Sequence, residues 1–393
     1  MAAKERTKQY NKGPRKDIME NILGNGCITV NALNLIWKDK TANNIHTAKK
    51  MECEGVIRKS KIKTGNDPLI KTYSINRYES NKGEFLKFYP PRTHGFFEGY
   101  EMNVSSRVGR GSDPYYQKRI ALSSDVPILM NLAGINGTLK DKIKTLIFDE
   151  KVEKGIPYYF QLHELKIDSE LQNESRSVGT LINGEDVYMT YNICDHRPKW
   201  SGKAERGIIH MFITSIYPNL TGLKFSKTER DIKAIIIGKE EPVSNLILEN
   251  DLAKERKFKG TTSYLTLPNK LYNAIYYVPY DEFGIKLLKV MKHEGWEKEI
   301  KKYFLKGYAP SNPNASVIND SIDANGNMTL FFGVPDLERL FNFYRNARNF
   351  DERDKFTVVC FKQQESFIQN IVGKYCKVKT RDINEYLKYI GEE

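Results

Sequence analysis

Between Lys16 and Arg77, three short stretches of helical periodicity precede two β-rich runs around a turn, an order that few small folds satisfy. The spacing of Ile18, Ile22 and Leu23 predicts a helix over Asp17–Leu23, stopped by Gly24-Asn25-Gly26. A second helix is expected from Val30 to Trp37, with Leu33, Ile36 and Trp37 on one face. Thr41 is placed to cap a third, Ala42–Glu54, in which Ile45, Ala48 and Met51 recur every three residues. Gly55 stands where a helix C-cap glycine belongs. Val56–Lys63 and Leu69–Ile75, on either side of Thr64-Gly65-Asn66-Asp67-Pro68, read as the strands of a hairpin.

This segment resembles the winged helix-turn-helix family, and the resemblance implies a DNA-binding third helix. That helix is expected to expose Asn43, Asn44, His46, Thr47, Lys49 and Lys50 opposite its apolar stripe. Asn can bond bidentately to adenine, and Lys or Thr can reach base edges or phosphates. The hairpin adds Arg58, Lys59, Lys61, Lys63 and Lys71, spaced to follow a DNA backbone. A winged helix used for protein contacts, with its lysines merely solvated, is the alternative.

The charge follows the same segment. Residues 1–77 hold 16 Lys and Arg against 7 Asp and Glu, whereas the remaining 316 residues hold 46 against 42. An excess gathered on one segment points to phosphates more directly than a uniformly basic surface does. The five cysteines form no C-x-x-C pair, and Cys27 and Cys53 read as reduced core thiols. No apolar run follows Met-Ala-Ala-Lys-Glu-Arg, so no signal peptide is expected, and no apolar stretch is long enough to span a bilayer. A cytoplasmic protein with no membrane partner is the expectation.

Residues 1–13 read as a disordered basic arm and residues 78–114 as a linker rich in Gly, Ser, Pro and Asn. The linker's Arg107-Val108-Gly109-Arg110-Gly111 lacks the spacing of a nucleotide-binding loop. Residues 115–170 are expected to be a helical connector, with helices over Tyr115–Ala133 and Leu139–Phe148 that pack on the α/β part of the chain. From residue 171 to 393 strands and helices alternate, with a possible split near residue 310. The hairpin of Val178–Ile182 and Asp186–Ile193 turns at Asn183-Gly184-Glu185. Further strands are expected at Asp231–Gly238, Asn273–Val278, Met328–Phe332, Phe356–Phe361 and Tyr375–Thr380. Helices are expected at Ala204–Ile216, Val243–Glu249, Phe283–His293, Pro335–Ala347, Glu365–Val372 and Ile383–Ile390. The fold class is therefore α/β (α+β overall), an N-terminal winged helix followed by an open α/β domain with helices packed on a mixed sheet.

One constellation is enzyme-like. Asp186 opens a strand, Glu205 opens the next helix, and Asp231-Ile232-Lys233 supplies a D-x-K on a strand. This loosely resembles the restriction-endonuclease family, in which such carboxylates hold Mg²⁺ and the lysine assists the attacking water. Glu205 lacks the accompanying lysine, Pro335-Asp336 has no D/E-x-K after it, and D-x-K is common by chance. The six histidines form no metal-binding pair, and His210 reads as a core histidine. Tyr272, Tyr276, Tyr277, Tyr280 and Phe283 could stack bases, but strand packing accounts for them more simply. No catalytic residue, metal site, cofactor or small-molecule substrate is assigned.

Over Lys16–Arg77, and in the order of elements from Ser175-Arg176 to Gly238, the chain resembles the replication-relaxation family of plasmids and conjugative elements. The resemblance implies a sequence-specific protein whose partner is double-stranded DNA, and the α/β part is expected to supply contacts within a homo-oligomer or with other partners. It would act in replication, mobilisation or regulation of a plasmid, conjugative element or phage. A Mg²⁺-dependent DNA endonuclease and a module targeting a host protein are the alternatives.

Overall fold

The computed structural model describes residues 13–25, 27–36, 41–64, 69–75, 114–135, 151–152, 155–165, 175–194, 202–244, 271–311, 317–350 and 353–392. The expected arm over residues 1–12, most of the 78–114 linker and the helix expected at Leu139–Phe148 lie outside them. The fold is mixed α and β. By density of contacts it divides into two compact units, Met1–Val152 with Tyr158–Glu164, and Glu153–Pro157 with Leu165–Glu393.

The first unit begins with helix α1 (Gly13–Asn25), strand β1 (Ile28–Thr29) and helices α2 (Val30–Ile36) and α3 (Thr41–Cys53). Strands β2 (Ile57–Ile62) and β3 (Ile70–Ile75) come next. Strand order is β1-β3-β2, all antiparallel, with Ile28 opposite Tyr73 and Ile57 opposite Ile75. Ile18, Met19 and Ile22 of α1 are buried, as are Ala32 and Leu33 of α2 and Ala48 and Met51 of α3. Burying a side chain of the larger kind contributes about 1.5–3 kcal/mol. Helix α3 ends in a Schellman motif: the Val56 amide donates to the Met51 carbonyl and the Gly55 amide to that of Glu52, both at 3.0 Å. Gly55 takes φ 74°, the left-handed value that this motif requires.

Helix α4 (Pro114–Leu132) is expected, from its place after the linker, to join the α/β part of the chain. It packs instead on β1 and α2, and buries Val126, Leu129 and Met130. The connector expected to be helical through residue 170 also contains strand β4 (Tyr158–Gln161), which packs on α4.

In the second unit, β5 (Gly179–Asn183) and β6 (Asp186–Cys194) form a tight antiparallel hairpin, with Asn183 opposite Asp186. Helix α5 (Gly202–Met211) continues through a π turn at Phe212–Ile216 into α6 (Tyr217–Thr221). The wider turn lies just before Pro218, which has no N–H to return to the Thr214 carbonyl. Strands β7 (Lys233–Gly238) and β8 (Ile275–Pro279) extend the sheet in parallel with β6. Ala234, Ile235, Ile236 and Ile237 are all buried, as expected of a central parallel strand covered on both faces. Helix α7 (Glu282–Met291), capped by Asp281, leads to helix α8 (Trp296–Phe304).

A second sheet replaces the continuation of the first. Its strands are β9 (Ala309–Pro310), β10 (Ser321–Ile322), β11 (Met328–Phe331), β12 (Phe356–Phe361) and β13 (Lys377–Arg381), in the order β13-β12-β11-β10-β9. Strands β11, β12 and β13 are parallel and connected through helices α9 (Leu337–Phe350) and α10 (Glu365–Val372). Helix α11 (Ile383–Tyr389) closes the described chain. The Tyr277 amide donates to the Pro335 carbonyl at 2.9 Å, and Tyr277 meets Phe367 at a ring distance of 5.1 Å, so the two sheets share one core.

Candidate nucleic-acid interface

Helix α3 turns Ala48 and Met51 inward, and the residues between them outward. His46, Lys49 and Lys50 are exposed and Thr47 is half-buried. Asn43 and Asn44 lie in the first turn of α3, and their side chains are outside the described residues. The far end of the helix is fixed by a bidentate pair in which Arg15 of α1 donates to both oxygens of Glu54, at 2.8 and 2.9 Å. Paired donors of this kind hold a defined geometry. Cys53, expected to be a core thiol, is exposed; Cys27 is buried. At the end of the helix the apolar stripe has rotated away from position 53.

The hairpin sorts its cations between two faces. Lys61 lies directly opposite Lys71, and Lys59 directly opposite Tyr73, so these four share one face. The Lys59 ammonium lies 5.7 Å from the centre of the Tyr73 ring. Lys61, Lys63 and Lys71 are exposed. Arg58 belongs to the other face, where its Nε donates to the Ser74 hydroxyl at 3.3 Å. The five hairpin cations therefore do not follow one line. Like charges directly opposite one another destabilise a hairpin, and an anion between them reverses the sign.

The enzyme-like constellation is dispersed. Asp231 is not on a strand but in the 3-10 turn Glu229–Asp231, where it accepts from the Thr228 amide and hydroxyl, both at 2.8 Å. These bonds hold its carboxyl below the ordinary value. Lys233 does reach Asp186, at 3.3 Å, but also Glu297 at 2.7 Å, while Lys227 reaches Asp186 at 2.9 Å. Two carboxylates matched by two ammonium groups leave no negative charge for a divalent ion. Glu205 is fully buried and accepts from the Ser175 hydroxyl at 2.8 Å, the Arg176 amide at 2.7 Å and the Tyr191 hydroxyl at 2.8 Å. The Tyr191 and Tyr272 hydroxyls are themselves hydrogen-bonded. Asp336 caps α9 through the Glu338 and Arg339 amides, and burial pushes its carboxyl up to about 6. Among the described residues no three His, Cys, Asp or Glu side chains gather to hold a metal ion.

His210 is exposed rather than in the core, with Nδ1 2.6 Å from Glu229. Tyr272, Tyr276, Tyr277 and Phe283 are buried, which makes them packing residues. Among the described residues no helix is long and apolar enough to cross a membrane. No protein-family model matches the sequence, and neither a curated protein nor a solved structure matches it.

Proposed function

We propose that residues 14–77 form a winged helix-turn-helix that binds double-stranded DNA sequence-specifically. Helix α3 would enter the major groove, with Asn43 and Asn44 on base edges and Lys49 and Lys50 on phosphates. The face bearing Lys59, Lys61 and Lys71 would lie along the backbone. The observation that carries this reading is the element order helix, short strand, two helices, hairpin, with cations left exposed on the third helix and on the hairpin. The local charge excess supports it, since phosphate neutralisation supplies most of the non-specific affinity for DNA.

The resemblance to the replication-relaxation family supplies a setting for this activity: replication, mobilisation or regulation of a mobile element. The α/β unit would then serve self-association or partner contacts. Selection of bound sequences from random duplex DNA by the full chain tests the proposal. A recovered consensus, lost in Asn43→Ala or Asn44→Ala, is expected, at about 1–3 kcal/mol per bidentate contact. No retention of duplex DNA at low salt would refute it. Mg²⁺-dependent cleavage abolished by Asp186→Asn would replace it with a nuclease.

A further inference from the structure

Among the described residues of the first unit, one carboxyl group is buried with no ion pair. Asp125 of α4 is almost wholly inaccessible, and the Thr29 hydroxyl donates to its Oδ2 at 2.9 Å. The Thr29 backbone also bonds the carboxyl. Its other oxygen, Oδ1, has no hydrogen-bond partner among the described residues. That arrangement suits a neutral acid, with one oxygen accepting and the other carrying the proton, and is costly for a carboxylate.

Thr29 is placed to transmit the state of this group. The Ala32 amide donates to the same hydroxyl at 3.0 Å, so Thr29 caps α2 while it bonds α4. Beside it the Cys27 thiol donates to the Ser124 hydroxyl at 3.3 Å, and Ser124 donates onward to the Ala121 carbonyl at 2.7 Å. Two adjacent residues of α4 thus fasten it to β1 and the residue preceding Ile28.

We propose that Asp125 and Thr29 form a proton-operated clasp, closed while the carboxyl is neutral and loosened when it ionises, that holds α4 on β1 and α2. The surroundings offer little relief to a charge. Helix α2 (Val30–Ile36) carries no titratable side chain. From α1, Arg15 is bound to Glu54, and Asp17 is a further acid. From β2 and β3, Arg58 is bound to Ser74, Lys59 lies over Tyr73, and Lys61 and Lys71 are exposed. Strand β4 brings the buried Tyr158 and Tyr159, and α4 itself brings Lys118 and Arg119. Burial pushes the carboxyl up to about 8, and the Thr29 bonds oppose that. The neighbouring Cys27 thiol, raised to about 12 by burial, stays protonated throughout.

Hydrogen exchange of the full chain, corrected for the intrinsic pH dependence of amide exchange, tests the clasp at about pH 6 and about pH 9. Protection over α4 should fall at least about tenfold at the higher pH in the wild type and stay level in Asp125→Asn. Protection over α10, in the other unit, should stay level in both. No loss in the wild type, or the same loss in both proteins, overturns the proposal. If Asp125→Asn fails to fold, the NMR titration of the wild-type Asp125 carboxyl carbon decides instead. A midpoint well above the ordinary carboxylate range supports the clasp, and one within that range overturns it.

Discussion

Glu205 collects three donors, from Ser175, Arg176 and Tyr191. Glu205→Ala removes the acceptor that two hydroxyls and an amide share in the interior, and each buried donor that loses its acceptor costs about 1–3 kcal/mol. Urea unfolding should show a loss of about 3 kcal/mol or more. Tyr191→Phe, which removes a single hydroxyl, should lose about 1 kcal/mol. Equal small losses would mean that water replaces the missing partners. Asp186 differs, because cations surround it. Burial alone would raise its carboxyl, but Lys233 and Lys227 outweigh burial and hold it below the ordinary value. A carboxyl depressed in the fold contributes stability above its unfolded-state range and loses it as pH falls through the folded value. In Lys233→Met the carboxyl moves back toward its ordinary value. The stability gap between wild type and Lys233→Met should therefore narrow on acidification through the carboxylate range. A gap that does not change with pH, in thermal melts across that range, would remove the ion pair from the account. Asp186 and Lys233 were legible in sequence as an acid and a base on two strands, though not as neighbours. Glu297 was not, since it lies 64 residues beyond Lys233 and meets it only through the packing of α8.

Among the elements, those with a full period and a clear break at each end were readable, and the shortest were not. Strand β12 and helix α10 match the spacing in Phe356–Phe361 and Glu365–Val372 residue for residue. Strand β1 spans only Ile28–Thr29, too short to carry a period of two, and exists because β3 offers it a ladder. Helix α8 had a visible stripe in Trp296, Ile300 and Phe304, hidden only by its closeness to the end of α7. The hairpin of β2 and β3 yields a prediction with two opposite signs. Lys71→Glu turns the repulsive pair opposite Lys61 into an attractive one, worth about 0.2–1 kcal/mol of added stability. The same change removes a cation from the proposed DNA face and should weaken binding. A variant that melts higher and binds DNA less well is expected; one that melts lower would mean that Lys71 already has an acidic partner. At the end of α3, Gly55→Ala places a Cβ at φ 74° with no atom within 4 Å, so the cost is conformational, about 1 kcal/mol by denaturant unfolding.

At the scale of the whole molecule, the charge and the chemistry divide unequally between the two units. The second unit pairs several of its ionic groups internally: Lys233 with Asp186 and Glu297, Lys301 and Arg339 with Asp320, and Lys379 with Asp323. The exposed lysines of α3 and the hairpin belong to the segment where basic residues outnumber acidic ones by 16 to 7. That asymmetry was legible from composition, because it needs only local counting. The internal pairing of the second unit was not, because it depends on which strands become neighbours. If the N-terminal segment is the DNA-binding part, affinity should fall with salt at about −0.9 per phosphate neutralised, in logarithmic units. Replacing Lys61, Lys63 and Lys71 together by Gln in the full chain should flatten that slope by about 3. A control that replaces Lys302, Lys306 and Lys388, all exposed in the second unit, should leave it unchanged. Fluorescence anisotropy with one labelled duplex across a salt series measures both. Equal flattening by the two triple variants would assign binding to the net charge of the chain, and the N-terminal segment would lose its claim to be the DNA reader.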